Sequence, residues 1–438
     1  MHLFEYQQTK RYFAQLAEGF EEPAAAELTT LGATHIDPGF RGLHFSADSA
    51  ALYRINYQSR LVTRVLAPLV SFRCRDREDL YRAGNGVDWA AFFDVDRTFA
   101  VMANVSGHPN LTHSKFAALC LKDAVADAFR KRLGRRPNVD RENPDIWLNV
   151  YIENQRAIIS IDTSGGSLHR RGYRRESVEA PLQETLAAAV MALSGWQGEK
   201  PLYDPMCGSG TIALEAALLA TGTAPLLFRA KGGFGFEHLR DFNAPLWESL
   251  RAEARAERHP PTAKIFLSDL DPDFVDLARR IAACAGLEKV MTAEVKDFFR
   301  TTKPADRGLL IMNVPYGLRL GACRGIPTEQ PRGEKKPEMR RFEGEYRESS
   351  TEKQRNGRLF TARGATEIFP DRLLGASEVG PDFLAALGDH LKAAFSGWRC
   401  GILVPASAPL KAVGLKPNLQ AAFQNGLIPV KLLVYDIY

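Results

Sequence analysis

Asp204-Pro205-Met206-Cys207-Gly208-Ser209-Gly210-Thr211 is the stretch from which the rest of the chain is read. A short apolar strand, Pro201-Leu202-Tyr203, leads into it, and an amphipathic helix, Ile212 to Ala220, follows. A strand ending on an acid, then a Gly-Ser-Gly turn, then a helix N-terminus makes a cradle for a small ligand. Gly208 and Gly210 tolerate a positive φ and let a ligand approach bare backbone. The first amides of the helix are unpaired and carry partial positive charge, which suits a carboxylate or a phosphate. Neither the Gly-x-Gly-x-x-Gly of a dinucleotide site nor the Gly-Lys-Ser/Thr of a phosphate-binding loop is present. A plain strand-to-helix connection uses similar turns, so the sequel matters.

That sequel repeats at intervals of about one strand and one helix. Lys264 to Ser268 reads as a second strand ending at Asp269-Leu270-Asp271, where Asp271 caps a helix that has Pro272 at its first position. An acid at that tip is placed to accept hydrogen bonds from two ribose hydroxyls, and Asp269 is the choice here. Val290 to Val295 is a third strand, followed by Lys296-Asp297-Phe298, and Gly308 to Met312 a fourth, ending at Asn313-Val314-Pro315-Tyr316-Gly317. Four strand ends then carry polar groups on one rim of one sheet, the rim where open α/β sheets bind ligands.

In this order the motifs resemble class I S-adenosylmethionine (SAM) methyltransferases that act on an exocyclic amine. The family pattern at the fourth strand is Asp/Asn/Ser-x-Pro-Tyr/Phe/Trp; Val314 stands where Pro or Ile is usual. An exocyclic amine is a poor nucleophile because its lone pair is delocalised into the ring. The Asn313 side-chain oxygen and the Val314 carbonyl can accept its N–H bonds and draw that lone pair out of conjugation. Pro315 fixes the backbone, and Tyr316 offers a face on which the base stacks. Neither a metal nor a covalent intermediate is required. The resemblance implies that Asp204, Met206, Cys207, Gly208, Ser209, Gly210 and Thr211 hold the methionine part and adenosine. It implies the ribose at Asp269 and Leu270, and the adenine at Asp297 with Phe298 beside it; Asp297 also reads as a simple loop cap.

Composition sets the surroundings. A chain of 438 residues is too long for one compact domain. No apolar run is long enough to span a membrane, and Met1-His2-Leu3-Phe4-Glu5-Tyr6 lacks a basic-then-apolar secretion signal. Six cysteines scattered singly, with no Cys-x-x-Cys, point to a reducing cytoplasm and away from disulfides or zinc. Cys207, inside the turn, reads as packing rather than as a nucleophile. A net charge of only +5 means that nucleic-acid binding must be argued from clusters.

One cluster runs from Arg130 to Arg141: Arg130, Lys131, Arg132, Arg135, Arg136 and Arg141 against the single acid Asp140. It suits phosphates, or is a solvated helix end complementing its own dipole. It follows a helix from Ser114 to Leu133 and precedes a hairpin, Trp147 to Ile152 with Ile158 to Asp162. A second group, Arg170, Arg171, Arg174 and Arg175, lies in the link to the cradle and either clamps RNA backbone or is a solvated linker. Between the first two core strands, Phe228 to Phe236 and a helix around Trp247 interleave aromatics and cations with glycine, suited to base stacking or to a local core.

Residues 71–167 resemble a THUMP domain, an RNA-binding module. Arg136-Pro137-Asn138-Val139-Asp140, Ser167-Leu168-His169-Arg170-Arg171-Gly172-Tyr173-Arg174 and Ala180-Pro181-Leu182-Gln183-Glu184-Thr185-Leu186-Ala187-Ala188 look like the ribosomal RNA guanine methyltransferases of the RlmL type. The likeness implies an α/β protein: a ferredoxin-like unit over 1–70, the THUMP unit over 71–167, and a Rossmann-like seven-stranded methyltransferase domain over 168–438. One such domain is expected, with no second fused behind it. Residues 321–380, poor in apolar side chains, read as an inserted mobile loop. The function implied is SAM-dependent N2-methylation of guanine in 23S rRNA, in the cytoplasm, with no metal and no membrane. The alternatives are guanine-N2 methylation of tRNA, adenine-N6 methylation of DNA, and a catalytically silent RNA-binding assembly factor.

Overall fold

Two seven-stranded sheets organise the chain. The structure is a computed structural model and describes residues 4–174, 182–230, 232–315, 379–426 and 428–438. The first sheet takes β1 (Arg11–Gln15), β2 (Thr34–Gly39), β3 (Gly42–Ser46), β4 (Arg64–Arg73), β5 (Phe99–Ser106), β6 (Ile146–Glu153) and β7 (Arg156–Asp162) in the order β2-β3-β1-β4-β7-β6-β5. Around it lie α1 (Glu5–Thr9), α2 (Glu21–Thr30), α3 (Ser49–Gln58), α4 (Arg77–Gly86) and α5 (Ser114–Leu133). β4 pairs with β1 on one side and β7 on the other, so the ferredoxin-like and THUMP halves share one sheet. The expected division at residue 70 falls inside that strand. Pro68 has no amide to donate to the ladder, and the β4–β7 register shifts between Pro68 and Val70. α5 ends where the periodic pattern does: Gly134 adopts φ +71° and its amide bonds the Arg130 carbonyl at 2.9 Å.

The second sheet is the one that matters for chemistry. It comprises β8 (Leu202–Asp204), β9 (Ile265–Asp269), β10 (Met291–Val295), β11 (Leu309–Asn313), β12 (Arg399–Pro405), β13 (Leu419–Asn425) and β14 (Ile428–Asp436). Their order is β10-β9-β8-β11-β12-β14-β13, parallel except for β14, which runs antiparallel to β12 and β13. From β8 the chain steps outward to β9 and β10; from β11 it steps the other way. The order therefore reverses between β8 and β11, and at such a switch point the helices diverge and leave a crevice beyond the strand ends.

The helices of this half are α6 (Glu184–Leu193), α7 (Thr211–Ala220), α8 (Ala244–Ala256), α9 (Pro272–Cys284) and α10 (Pro381–Ala394). α7 is not amphipathic as expected: every residue from Thr211 to Ala220 except Leu219 is buried. It packs between its sheet and α6, and Arg60 of the N-terminal half donates to the Leu218 and Thr223 carbonyls at 3.4 and 2.8 Å. Burying Ile212, Leu214 and Leu218 contributes roughly 1.5–3 kcal/mol each.

The aromatic excursion resolves as core. Phe234, Phe236 and Trp247 are buried against Tyr53 and Tyr57 of α3, with Tyr53 stacked on Phe236 at 4.4 Å and Tyr57 edge-on to Trp247 at 5.2 Å. Among the described residues no helix is long and apolar enough to cross a membrane. The expected insertion over 321–380 lies almost wholly outside the described residues.

Candidate active site

At the end of β8 the backbone folds the turn from within. The Cys207 amide donates to the Ser268 carbonyl at 3.0 Å, tying the turn to β9, and the Gly210 amide returns to the Cys207 carbonyl at 2.8 Å. Gly208 (φ +51°) and Gly210 (φ +78°) both occupy the left-handed region. Their reasons differ. A Cβ on Gly210 would meet the Ala278 Cβ of α9 at 3.0 Å, so this glycine serves close packing. A Cβ on Gly208 would meet nothing within 4 Å, so this glycine borders open space.

Asp269 is bound into that turn. One of its carboxylate oxygens accepts the Gly208 amide at 2.8 Å and the other the Asp271 amide at 3.1 Å. Burial raises its pKa against the pull of those two amides. Asp271 accepts from the Asp273 amide at 2.9 Å and caps α9. Leu270, between the two acids, stays partly accessible, as does Met206. Ser209 and Thr211 are buried.

Asp204 is in a different state. It is 1% exposed, and neither carboxylate oxygen has a hydrogen-bond partner among the described residues. Burial, reinforced by the neighbouring Asp269 charge, pushes its pKa well above the ordinary carboxylate range. The Cys207 thiol is raised by burial and by the same two carboxylates, which keeps it protonated.

β11 runs beside β8 with Leu310 level with Tyr203, so Asp204 lies level with Ile311. Asn313 then stands two residues, about 7 Å, further along the shared rim. It is 8% exposed, and its Oδ1 has no partner among the described residues. Val314 is fully buried, its amide donating to the Leu403 carbonyl at 3.2 Å, and Pro315 follows. Tyr316 lies outside the described residues. On the far side, Asp297 caps a short turn through the Phe299 amide at 3.0 Å, with Arg300 at 3.7 Å from its other oxygen. Phe298 is buried and stacks on Phe395 at 5.9 Å.

The arginine clusters divide. Arg171 is a correction: expected at RNA, its side chain is wholly buried. It donates to both Glu215 oxygens (3.3 and 3.2 Å) and to the carbonyls of Ser59, Leu168 and Arg60. A guanidinium committed to five acceptors in the interior has no face for a phosphate. Arg174 also turns inward, to Glu184 at 3.4 Å and to the Thr211 hydroxyl. Arg170 is exposed, and Arg175 lies outside the described residues. In the first cluster Arg130 pairs with Asp127, Arg132 with Asp88 and Arg135 with Asp96. These are exposed pairs, each worth at most about 1 kcal/mol, which phosphate would readily displace. Lys131 and Arg136 are exposed without an acidic partner among the described residues. Reading the sequence missed Glu215, although an acid inside an otherwise apolar helix signals a buried cation elsewhere.

Three family models match successive parts of the chain. An RlmL ferredoxin-like domain matches residues 11–66, a THUMP domain 74–162, and an RMKL-like methyltransferase domain 171–328. A putative RNA methyltransferase of Synechocystis sp. is 37% identical over 432 residues, covering 98% of this chain and 97% of that protein. The chain belongs to the RlmK/L family of SAM-dependent RNA methyltransferases. The family member of Vibrio campbellii named ribosomal RNA large subunit methyltransferase K/L is 38% identical over 322 residues, or 72% of this chain but only 45% of that protein. The chain thus spans less than half of that larger RlmK/L relative. The crystal structure of SMU.472, a putative methyltransferase complexed with SAH, shares the fold, with a TM-score of 0.75 at 23% identity and 98% of each chain covered. Two features of the turn fit the family's cofactor: the open space beside Gly208 and the orphaned carboxylate of Asp204. Among the described residues no three His, Cys, Asp or Glu side chains converge as a metal site.

Proposed function

We propose that the chain methylates the exocyclic N2 of a guanine in RNA, with 23S rRNA as the substrate. The observation that carries this reading is the Asn313 side-chain oxygen. It is buried, unpaired among the described residues and set at the reversal of strand order next to the strand that delivers the cofactor turn. A buried acceptor without a donor costs about 1–3 kcal/mol, which an incoming N–H repays.

When bound, S-adenosylmethionine supplies a methyl group on a positively charged sulfur. Everything else falls to this chain. The turn Met206–Thr211 and Asp204 hold the methionine arm, Asp269 and Leu270 the ribose, and Asp297 and Phe298 the adenine. Asp269 keeps lone pairs free beyond the two amides it accepts, so it takes hydroxyls without releasing Gly208. Asn313 Oδ1 and the Val314 carbonyl accept hydrogen bonds from the two amine N–H groups, so the nitrogen becomes tetrahedral with its lone pair on one side. Pro315 stiffens that acceptor pair, and Tyr316 provides the stacking face. The base must leave its stack to reach such a site. Arg130, Lys131, Arg132, Arg135, Arg136 and Arg170 bind phosphates and hold the strand.

The ribosomal assignment draws support from the Vibrio relative's name and from the THUMP half, and guanine rests on the resemblance of the sequence motifs to the RlmL type. Methyl transfer from labelled SAM to total RNA and to DNA, followed by nucleoside analysis, tests them. N2-methylguanosine in large-subunit rRNA is the expected product. N6-methyladenosine would overturn the base, modified tRNA the substrate, and no transfer at all the catalytic reading. Asn313→Ala should lower transfer by at least ~100-fold while leaving S-adenosylhomocysteine affinity within about twofold.

A further inference from the structure

Arg174 sits where a cation is electrostatically out of place. Its guanidinium touches the hydroxyl of Thr211, the first residue of α7, and lies 3.4 Å from Glu184, the first residue of α6. Two helix N-termini, each carrying about half a positive charge, flank one full positive charge. Opposite them stands a single carboxylate, itself at the N-terminus of α6. The side chain is 14% exposed, and its Nε is buried with no partner among the described residues. Positive charge is in surplus here, and a donor is unspent.

At the head of the same turn the imbalance has the opposite sign. Among the described residues Asp204 is buried with both oxygens unpaired and no cation against it. A turn with an unpaired carboxyl before it and, at its last residue, a guanidinium with an unspent donor amid surplus positive charge calls for a ligand carrying both charges. An α-amino acid zwitterion carries them on two groups attached to one carbon.

We propose that Arg174 is the residue that binds the carboxylate of the cofactor's methionine arm, with Asp204 facing its ammonium. The guanidinium offers five donors in a planar fork, enough to keep Glu184 and engage a second carboxylate. This assignment rests on SAM being the cofactor and is independent of which base is methylated. It also moves Arg174 out of the RNA-binding group and into the cofactor site.

The test compares two ligands on the intact chain by calorimetry. S-adenosylhomocysteine carries the amino-acid tail; 5′-methylthioadenosine keeps the nucleoside and lacks the tail. Arg174→Met should weaken S-adenosylhomocysteine by about 10- to 100-fold, the span expected of a hydrogen bond to a charged group. Binding of 5′-methylthioadenosine should stay within about twofold. Equal weakening of both ligands would show that Arg174 only shapes the turn, and no change in either would place the carboxylate elsewhere; each overturns the proposal. Should Arg174→Met fail to fold, Arg174→Lys serves. It keeps the charge but loses the fork, so a several-fold loss confined to S-adenosylhomocysteine is expected, and equal treatment of the two ligands would overturn the idea. If the unaltered chain bound neither ligand, the cofactor assignment itself would fail, whereas an unexpected methylated base in the product analysis would leave Arg174 untouched.

Discussion

Asp204 is a wholly buried carboxyl with no hydrogen-bond partner among the described residues, and its titration should be visible in stability. Burial and the Asp269 charge hold its folded pKa well above the ordinary value, near 4 in an unfolded chain. The folded state therefore keeps a proton that the unfolded state gives up. With a raised folded pKa, its contribution is fully present below pH 4 and is lost as pH climbs through the raised value. Asp204→Asn removes that loss. The ligand-free variant should exceed the unaltered chain at pH 8 by about 1 kcal/mol or more in equilibrium denaturation, and the gain should shrink toward pH 4. The same variant should bind S-adenosylhomocysteine more weakly, since the ammonium loses its counter-charge. A pH–stability curve parallel to that of the unaltered chain would mean that some other carboxyl sets the slope.

Between elements, the decisive contact is the one no motif announced. Arg171 in the link before the second sheet and Glu215 on α7 form a pair with both side chains wholly buried. Tyr173 adds its hydroxyl to Glu215 at 3.0 Å. Losing one partner of such a pair costs about 3–5 kcal/mol. Arg171→Met strands the Glu215 carboxylate and three carbonyls at once, and should cost that much. Glu215→Gln leaves an acceptor for Tyr173 and leaves the carbonyl bonds intact but removes the Arg171 counter-charge, so a loss of about 3 kcal/mol, at the lower end of that range, is expected. Urea denaturation of both variants decides it, and the reverse ranking would contradict the hub. The episode also marks where reading the sequence stops. α5 was legible from Ser114 to Leu133 because its apolar period is long and a glycine closes it, and Asp271 was legible as a cap from the proline behind it. The order of motifs along β8, β9, β10 and β11 likewise gave the rim. β1 was passed over because Arg11–Gln15 is only five residues long, and β13 (Leu419–Asn425) was missed although Asn425-Gly426 behind it is a hairpin signal. α4 hides behind Gly84 and Gly86, which depress helix propensity. Arg171 looked like the other three arginines of its run. Which of four cations goes inward depends on an acid over forty residues away, and that is tertiary information.

At the scale of the whole molecule, the N-terminal sheet and the methyltransferase sheet are joined too intimately to behave as beads on a string. Domains within one chain usually meet over polar, modest interfaces and move independently. Here the join is a cluster of rings, Tyr53 and Tyr57 against Phe234, Phe236 and Trp247. A second seam pairs Phe20 with Phe423 of β13 at 4.6 Å, and a third is Arg171, which reaches from Glu215 to the carbonyls of Ser59 and Arg60. Aromatic residues of this size bury about 150–250 Å² each, so opening the join exposes far more apolar surface than a hinge tolerates. It also strands a buried charge. Neither half can therefore unfold while the other keeps its structure. Calorimetry of the full chain should give one transition whose van't Hoff and calorimetric enthalpies agree, the signature of a single cooperative unit. Arg171→Met should move that one peak to lower temperature rather than split it. Two resolved peaks in the unaltered chain would show that the halves hold their folds separately. The orientation of the THUMP-bearing half over the rim of β8 and β11 would then be adjustable and not built in.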